Sequence, residues 1–392
     1  MQEIAVIGAG PAGLIAAETL VQAGHRVTVF DHMPSPARKL LIAGRGGLNL
    51  THSEPLEALL GRYGSARAAL EPAIRAFPPE ALIAWCEGLG QETFVGSSGR
   101  VFPRTMKASP LLRAWLGRLQ GLGVTLKARH RWTGWDGAAL RFEAPEGAVR
   151  FEAAATILGL GGASWPRLGS DGAWAPLLEG VAPLRPANMG FRLAWSEHFR
   201  ERFAGQPLKR IALEFQGQRV RGEAMVTAAG LEGGAVYALA SPLREALAQD
   251  GEATLRLDLR PDLDAGTLLG KMGGRGLSLT NQLRRAGLSP VAIGLVQEAR
   301  HGGDTTPAER LMKSLPLRVT AAQGLDRAIS SAGGLRFDAV DDRFMLRDRH
   351  GVFAAGEMLD WEAPTGGYLL QACFSTGVAA AKGLLEWIAT RS

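Results

Sequence analysis

Residues 3–31 read EIAVIGAGPAGLIAAETLVQAGHRVTVFD. The first five residues form a short apolar run, which is typical of a strand buried on both faces. A glycine-rich segment follows at once, and LIAAETLVQAG after it has the spacing of a helix that ends at Gly24. Residues 25–30 form a second apolar run, which ends at Asp31. The stretch therefore predicts a strand, a tight turn, a helix and a second strand.

The glycine segment Gly8-Ala9-Gly10-Pro11-Ala12-Gly13 has the spacing of a phosphate-binding turn. The first glycine makes the turn, the second lets a pyrophosphate approach the backbone, and the third lets the helix pack on the strand. The free N–H groups of the helix N-terminus favour the phosphates. Asp31, eighteen residues after Gly13, is placed to accept a hydrogen bond from a ribose 2′-hydroxyl. The segment predicts dinucleotide binding, and by itself does not distinguish FAD from NAD.

The next segment favours FAD. Residues 38–51 read RKLLIAGRGGLNLT and suggest a second glycine loop. Lys39, Arg45, Asn49 and Thr51 are placed to wrap the far half of an extended cofactor. The alternative is a surface loop in which the glycines occur by chance.

The C-terminal part of the chain contains two further strand signals. Val352–Ala355 is apolar and ends in Gly356-Glu357, where a backbone N–H and a carboxylate can meet a polyol or a phosphate. Residues 155–162, ATILGLGG, predict another buried strand that ends in a glycine turn. Both strands fit a nucleotide fold that is divided along the chain.

A long helix is predicted from the glycine-rich residues 364–368 to about Ile388, with Thr365 as its N-cap. A helix N-terminus carries partial positive charge. A reduced flavin carries negative charge near N1 and O2, so a helix start beside it would favour reduction.

The middle of the chain contains no second fingerprint. We expect a discontinuous cofactor domain of residues 1–187 and 329–392, an inserted mainly-β domain of residues 188–265 and a helical segment of residues 266–328. Alternation over residues 211–220 predicts a hairpin with Gly217 in its turn. The glycine-rich residues 270–276 are not preceded by a strand, so we favour a loop there over a nicotinamide site.

Composition excludes several classes of protein. The net charge is +6, but the basic residues are dispersed, so we do not expect nucleic acid as the main partner. Cys86 and Cys373 are far apart, which disfavours a dithiol mechanism and a zinc site, and we read both as buried apolar residues. Histidine spacing predicts no metal. No apolar run is long enough for a membrane span, and residues 1–15 do not look like a secretory signal, so we expect a cytoplasmic protein.

Five segments together resemble the BaiN-like (YhiN-type) family of FAD-dependent oxidoreductases, within the two-dinucleotide-binding superfamily that includes glutathione reductase. They are the glycine turn at residues 8–13, RKLLIAGRGGLNLT at 38–51, GRVFP at 99–103, the Leu158–Ala163 turn and GEMLDWEAPTGGYLLQ at 356–371. The resemblance implies an α/β fold with a split Rossmann-like FAD-binding domain, an inserted mainly-β domain and a small helical segment. It also implies that Trp132, at the end of a strand over residues 124–132, contacts adenine through its backbone.

The motifs and the resemblance together define a set of candidate cofactor-binding residues. They are Gly8, Gly10, Pro11, Ala12, Gly13, Asp31, Lys39, Gly44, Asn49, Thr51, Trp132, Gly161, Gly162, Gly356, Glu357, Gly366, Gly367 and Tyr368. Two departures separate this chain from many relatives: Gly47-Leu48-Asn49 replaces Arg-Cys-Asn, and Tyr368-Leu369 replaces Tyr-Asn. No thiol can act at the first of these positions.

The first hypothesis is an FAD-dependent oxidoreductase that exchanges a hydride with a small organic substrate, with NAD(P)H or O2 as the second redox partner. The alternative is a flavoprotein that acts on RNA or binds it, which the positive charge motivates. Arg100, Arg104 and Lys107 are candidates for binding an anionic substrate, or are simply solvated cations. No catalytic residue is assigned, and the oligomeric state is left open.

Overall fold

The computed structural model describes residues 1–273 and 276–391, apart from the side chain of Arg45. Gly274 and Arg275 of the expected 270–276 loop, and the Arg45 side chain of the expected cofactor loop, lie outside the described residues. The chain forms two units. We call Met1–Arg185 with Ser330–Ser392 the split unit, and Pro186–Ile329 the inserted unit.

The helices and strands follow one another along the whole chain. The strands are Glu3–Ile7 (β1), Arg26–Asp31 (β2), Thr51–His52 (β3), Thr93–Val95 (β4), Arg100–Pro103 (β5), Thr125–Ala128 (β6), Arg131–Asp136 (β7), Ala139–Ala144 (β8), Gly147–Phe151 (β9), Ala155–Leu158 (β10), Val181–Ala187 (β11), Phe191–Leu193 (β12), Pro207–Phe215 (β13), Gln218–Thr227 (β14), Gly230–Glu232 (β15), Ala253–Asp258 (β16), Leu315–Ala322 (β17), Ser330–Leu335 (β18) and Val352–Ala354 (β19). The α-helices are Pro11–Gln22 (α1), Arg38–Ala43 (α2), Leu56–Gly61 (α3), Arg67–Ala76 (α4), Pro79–Glu87 (α5), Ala108–Gly121 (α6), Glu197–Phe203 (α7), Gly234–Tyr237 (α8), Ala240–Asp250 (α9), Ala265–Met272 (α10), Leu279–Arg285 (α11), Pro290–His301 (α12), Ala308–Lys313 (α13) and Tyr368–Ala389 (α14).

A parallel sheet organises the split unit, with strand order β19-β10-β1-β2-β6. The apolar runs read from the sequence form β1, β2, β10 and the edge strand β19, and every residue of β10 is buried. Ile4 of β1 lies opposite Ala155 on one side and Val27 on the other. The sheet thus joins the N-terminal βαβ unit to strands from distant parts of the chain. The predicted α/β class with a split Rossmann-like sheet is confirmed.

The first helix ends as its sequence predicts. The Gly24 N–H donates to the Val21 carbonyl at 3.0 Å, and the His25 N–H donates to the Leu20 carbonyl at 3.3 Å. Gly24 has a φ of +86°, in the left-handed region that glycine adopts without strain. This pair of bonds is a Schellman motif, which satisfies carbonyls at the helix end and turns the chain into β2.

The last helix packs closely on the first. A Cβ on Gly377 of α14 would lie 2.5 Å from the Ala12 carbonyl oxygen of α1, so only glycine permits this approach. The C-terminal helix therefore supports the segment that carries the glycine turn. No helix in the described part of the chain combines the length and apolar character needed to cross a membrane.

The inserted unit is built on a closed antiparallel barrel with strand order β12-β15-β14-β13-β16-β17. Leu213, Leu257 and Val319 belong to its fully buried core. Gln216 and Gly217, both with positive φ, connect β13 to β14, as expected for a two-residue hairpin turn. The predicted turn at Gly217 is confirmed.

Two expectations for the inserted region need correction. The segment 266–328 contains β17 as well as helices, and Leu315 of β17 lies opposite Leu257 of β16. A boundary at 265/266 would therefore separate two paired strands. The expected loop at 270–276 is also helical at its start, because α10 continues to Met272.

Two local expectations in the split unit were wrong. The strand expected over 124–132 is broken at Arg129, whose φ is +61°. Its first part is β6 of the parallel sheet and its second part begins β7 of a separate antiparallel sheet, β7-β8-β9. The segment expected to be a glycine loop at 38–51 instead starts with the helix α2, so apolar spacing prevailed over the glycine signal.

Candidate functional site

A cavity of about 320 Å³ lies in the split unit beyond the carboxyl ends of the parallel strands. Residues that end or directly follow four of these strands line it: Gly8 after β1, Asp31 at the end of β2, Gly159 after β10 and Ala355 after β19. In open parallel sheets this edge is where ligands bind. The fold therefore concentrates the glycine turns and the acidic strand end at one site.

The three glycines of the turn have different roles. A Cβ on Gly8 would lie 2.2 Å from the Gly159 carbonyl oxygen, and one on Gly13 would lie 1.9 Å from the Gly8 carbonyl oxygen. These two glycines are required by packing. A Cβ on Gly10 would meet nothing within 4 Å, and Gly10 lines the cavity. The absence of a side chain at Gly10 therefore leaves space for a ligand and is not required by packing within the protein.

The carboxylate of Asp31 is held by backbone donors. One oxygen accepts from the Ala9 N–H and the other from the Met33 N–H, both at 2.8 Å. Burial raises the pKa of Asp31, against the lowering effect of these two hydrogen bonds. Each oxygen keeps a further acceptor position. Asp31 can therefore accept from a ligand hydroxyl at the cavity wall.

A second charged group on the wall joins distant parts of the chain. Lys39 Nζ lies 2.7 and 3.0 Å from the two carboxylate oxygens of Glu357, and 2.5 Å from Ser164 Oγ. Glu357 also accepts from the Ser331 N–H at 3.0 Å. The Glu357 carboxylate is thus fixed by two other segments, with Lys39 beside it in the cavity lining.

Residues 165–177, which we call the cover segment, contribute seven residues to the lining. The Trp174 indole N–H donates to the Gly161 carbonyl at 2.9 Å. Arg131 Nη1 lies 3.1 Å from Asp171 Oδ2, and His32 Nε2 lies 3.9 Å from the same oxygen. Burial and the neighbouring Arg131 lower the pKa of His32, which favours its neutral form near pH 7. These contacts fix the cover segment to β7 and to the end of β2.

The two thiols are held in their protonated form. Burial raises the pKa of Cys86 and of Cys373 to about 12 in each case. Cys86 is fully buried, but Cys373 lines the cavity, so the interpretation of Cys373 as a simple core residue missed its position. Among the described residues, no group of three His, Cys, Asp or Glu side chains is placed to hold a metal.

Half of the candidate residues line the cavity. They are Gly8, Gly10, Pro11, Ala12, Asp31, Lys39, Trp132, Gly161 and Glu357. The candidates outside the lining are Gly13, Gly44, Asn49, Thr51, Gly162, Gly356, Gly366, Gly367 and Tyr368. Several of these have contacts within the protein instead: Thr51 Oγ1 donates to Gln371 Oε1 at 2.7 Å, and the Tyr368 hydroxyl donates to Glu54 at 2.7 Å.

The start of α14 differs from its prediction. Gly367 is the N-cap, with a φ of +95°, and Thr365 is not. A Cβ on Gly367 would lie 2.6 Å from the backbone of Thr51, which explains why glycine is needed there. The N-terminus of α14 is therefore packed against β3.

Several lining residues were not anticipated from the sequence. They include His32, Arg38, His130, Arg131, Ser170, Asp171 and Trp174. The only sequence signal for the cover segment was its Gly169-Ser170-Asp171-Gly172 stretch, which is typical of a tight loop. The others lie on segments whose proximity depends on the tertiary fold.

Unsatisfied polar atoms show that this cavity suits a polar ligand. Buried Trp132 Nε1, Ser170 Oγ and Arg38 Nε have no hydrogen-bond partner, and all three residues line the cavity. Buried polar groups in proteins are almost always paired. Together with the Gly10 opening and Asp31, these donors fit a dinucleotide that presents phosphate, ribose and base acceptors. The fold and the site define a Rossmann-type dinucleotide-binding protein.

Comparison with known proteins identifies the family. The model of the HI0933-like protein Rossmann domain matches residues 2–383, so the chain belongs to the HI0933-like family. It is an FAD-dependent oxidoreductase, and the predicted family resemblance is confirmed.

Two curated relatives align with nearly the whole chain. The 3-dehydro-bile acid delta(4,6)-reductase of Clostridium scindens is 25% identical, over 98% of this chain and 100% of its own. The ribosomal RNA dihydrouridine synthase of Escherichia coli K12 is 23% identical, over 97% of each chain. Among solved structures, the 3-ketosteroid delta1-dehydrogenase of Sterolibacterium denitrificans is similar with a TM-score of 0.52 and 14% identity, over 98% of this chain and 99% of the other, which shows a shared fold.

Proposed function

We propose that this protein is an FAD-dependent reductase that adds two hydrogens across a carbon–carbon double bond of a small cyclic substrate, with electrons supplied by NAD(P)H. The assignment of FAD as the cofactor is supported by the cavity at the carboxyl edge of the sheet. This cavity has open space at Gly10 and contains buried donors without partners. The two relatives that align with nearly the whole chain are named a delta(4,6)-reductase and a dihydrouridine synthase, and each name describes the saturation of a carbon–carbon double bond.

The chain's own residues bind and orient the cofactor. The pyrophosphate would lie against Gly10 and the N-terminus of α1, whose first N–H groups are free to donate. Asp31 would accept from the ribose, since its carboxylate is already held by the Ala9 and Met33 N–H groups. When bound, FAD supplies the hydride-transfer chemistry.

Lys39 and Glu357 would fix the middle of the cofactor. Their ion pair is only partly exposed, with 28% and 12% of the two side chains accessible, so water screens it incompletely. Glu357 is anchored by Ser331, and Lys39 by Ser164. The pair therefore presents one cation and one hydrogen-bond acceptor at fixed positions for hydroxyls and phosphates.

An anaerobic titration tests the proposed electron source. We expect the visible flavin absorbance of the purified protein to bleach when NADPH or NADH is added without oxygen, and to return when a cyclic enone is added. Bleaching by the nicotinamide with recovery only on admission of air would contradict the reductase and indicate an oxidase. A flavin that no two-electron donor reduces would contradict both.

RNA is the second candidate substrate, because the Escherichia coli relative is a ribosomal RNA dihydrouridine synthase and this chain has a net charge of +6. Uridine in RNA also contains a ring double bond beside a carbonyl, so the hydride chemistry would be the same. Reoxidation of the reduced protein by RNA fragments, but not by free enones, would favour this candidate. Binding that does not weaken with salt would count against it.

We expect Asp31→Ala to weaken FAD binding by about 1–3 kcal/mol, the cost of losing one charge-assisted hydrogen-bond partner. A pH titration adds a sharper test. FAD needs the ionised carboxylate as an acceptor, and burial raises the Asp31 pKa, so affinity in the native chain should fall as the pH drops towards that raised pKa. Asp31→Ala should abolish this part of the pH dependence. An unchanged profile in the variant would contradict the role of Asp31.

A further inference from the structure

Two buried donors of the cavity wall come from separate parts of the chain and have no partner within the protein. Trp132 Nε1 belongs to β7, and Ser170 Oγ belongs to the cover segment. The residues are 6% and 5% exposed, so bulk water does not account for them. Since native folds almost always pair such atoms, an occupant of the cavity must supply the missing hydrogen-bond partners.

The chemistry of these donors restricts the occupant. The indole N–H can only donate, so the group facing Trp132 must be an acceptor. The tryptophan ring is held by an edge contact with Trp135, with centroids 4.7 Å apart, and its position is therefore set by packing. A Cβ on Gly161 would lie 3.7 Å from Ser170 Oγ, so this hydroxyl lies beside the glycine turn after β10.

The location within the cavity points to one half of a dinucleotide. The cover segment touches the end of β2: a Cβ on Gly169 would lie 2.5 Å from Met33 Cγ and 3.3 Å from the His32 ring. Asp171 joins Arg131, the residue before Trp132, by its 3.1 Å ion pair. The acid at the end of the second strand marks the ribose of the adenosine half in this type of fold. Both unpaired donors thus lie near the adenylate end.

We propose that the side chains of Trp132 and Ser170 donate hydrogen bonds to the adenylate half of FAD, and that they make this protein select FAD over FMN. The proposal rests on FAD being the cofactor. Adenine nitrogens, ribose oxygens and phosphate oxygens are acceptors, which matches two donors without partners. FMN lacks the whole adenylate half, so it cannot satisfy them. The cover segment is then a cofactor-selecting element rather than a simple surface loop.

Equilibrium binding to the apoprotein tests this assignment. Apoprotein of the native chain, Trp132→Phe, Ser170→Ala and the double variant is titrated with FAD and with FMN, and flavin fluorescence gives each Kd. We expect the FAD Kd to rise about three- to tenfold in each single variant, the loss of one hydrogen bond, with the FMN Kd unchanged. ADP contains the same adenylate half, so its dissociation constant should rise by about the same factor as that of FAD. Trp195→Phe is the matched control, because Trp195 belongs to the inserted unit and does not line the cavity, and it should leave both Kd values unchanged.

Two outcomes would overturn the assignment. The first is an FAD Kd in the double variant that stays within about twofold of the native value, which is smaller than the loss of one hydrogen bond. The second is a parallel rise of the FAD and FMN Kd values, which would indicate general damage to the cavity. The melting temperature of each apoprotein shows whether the variant is folded. Ser170→Ala removes only one oxygen atom, so we expect it to fold as the native chain does. If the native chain binds no FAD, the proposal that FAD is the cofactor is contradicted instead.

Discussion

Gly10→Val is expected to yield a folded protein that contains no FAD. A Cβ at this position would meet no protein atom within 4 Å, and Gly10 lines the cavity. The fold therefore tolerates it, while the pyrophosphate loses its approach to the backbone. We expect FAD affinity to fall at least about a hundredfold, as when a steric block removes several phosphate hydrogen bonds at once. Absorbance of the purified variant and calorimetric titration of its apoprotein measure the effect.

Gly13→Ala is the matched comparison, because it adds a smaller group at a glycine of the same turn. Its Cβ would lie 1.9 Å from the Gly8 carbonyl oxygen, so the turn itself must move. We expect this variant to be destabilised or insoluble, whereas Gly10→Val keeps the melting temperature of the native apoprotein. Stoichiometric FAD in Gly10→Val would refute the placement of the cofactor.

Glu18→Ala is expected to cost about 3 kcal/mol of folding free energy, as typically follows when one partner of a buried ionic network is removed. Glu18 is 3% exposed and lies on α1. It accepts from the indole N–H groups of Trp85 and Trp115 at 3.1 and 2.7 Å, and from Arg118 at 2.9 Å. Removing the carboxylate deprives three donors of their acceptor, and one of these donors is on the fully buried Trp115 ring.

Denaturant unfolding followed by tryptophan fluorescence measures this loss, because Trp85 and Trp115 flank the missing carboxylate. Glu71→Ala is the control: Glu71 forms ion pairs with Arg67 and Arg75 on the exposed face of α4, and such pairs contribute little to stability. We expect no measurable change in the unfolding midpoint of that variant. Equal losses of unfolding free energy in the two variants would show that the buried Glu18 network stabilises the fold no more than an exposed ion pair does.

The N-terminal unit could be predicted in detail because its signals are local. The apolar run from Glu3 to Ile7, the glycine spacing and Gly24 each determine structure within a few residues, and β1 and the end of α1 match them. The hairpin turn at Gly217 was predictable for the same reason. Each of these features depends on backbone conformations that the sequence itself restricts.

The rest of the site depends on contacts between distant segments. Nothing local distinguishes Thr365 from Gly367 as the N-cap of α14; the close approach of the Thr51 backbone decides it. Lys39 and Glu357 are separated by 318 positions, and only the sheet order brings them to 2.7 Å. Ser170 was missed because a single serine in a glycine-rich loop carries no signal until its burial is known.

The position of β19 and α14 in the chain has a consequence for biosynthesis. Ala355, Glu357 and Cys373 line the cavity, yet they leave the ribosome more than three hundred residues after the glycine turn. The barrel strands β12–β17 are all translated before them and pair with one another. The edge strand beside β10 and the helix that packs on α1 are thus synthesised after the barrel. We therefore expect FAD capture to follow the synthesis of residues 352–389, and chains that end before residue 352 should contain no flavin however well their barrel has folded.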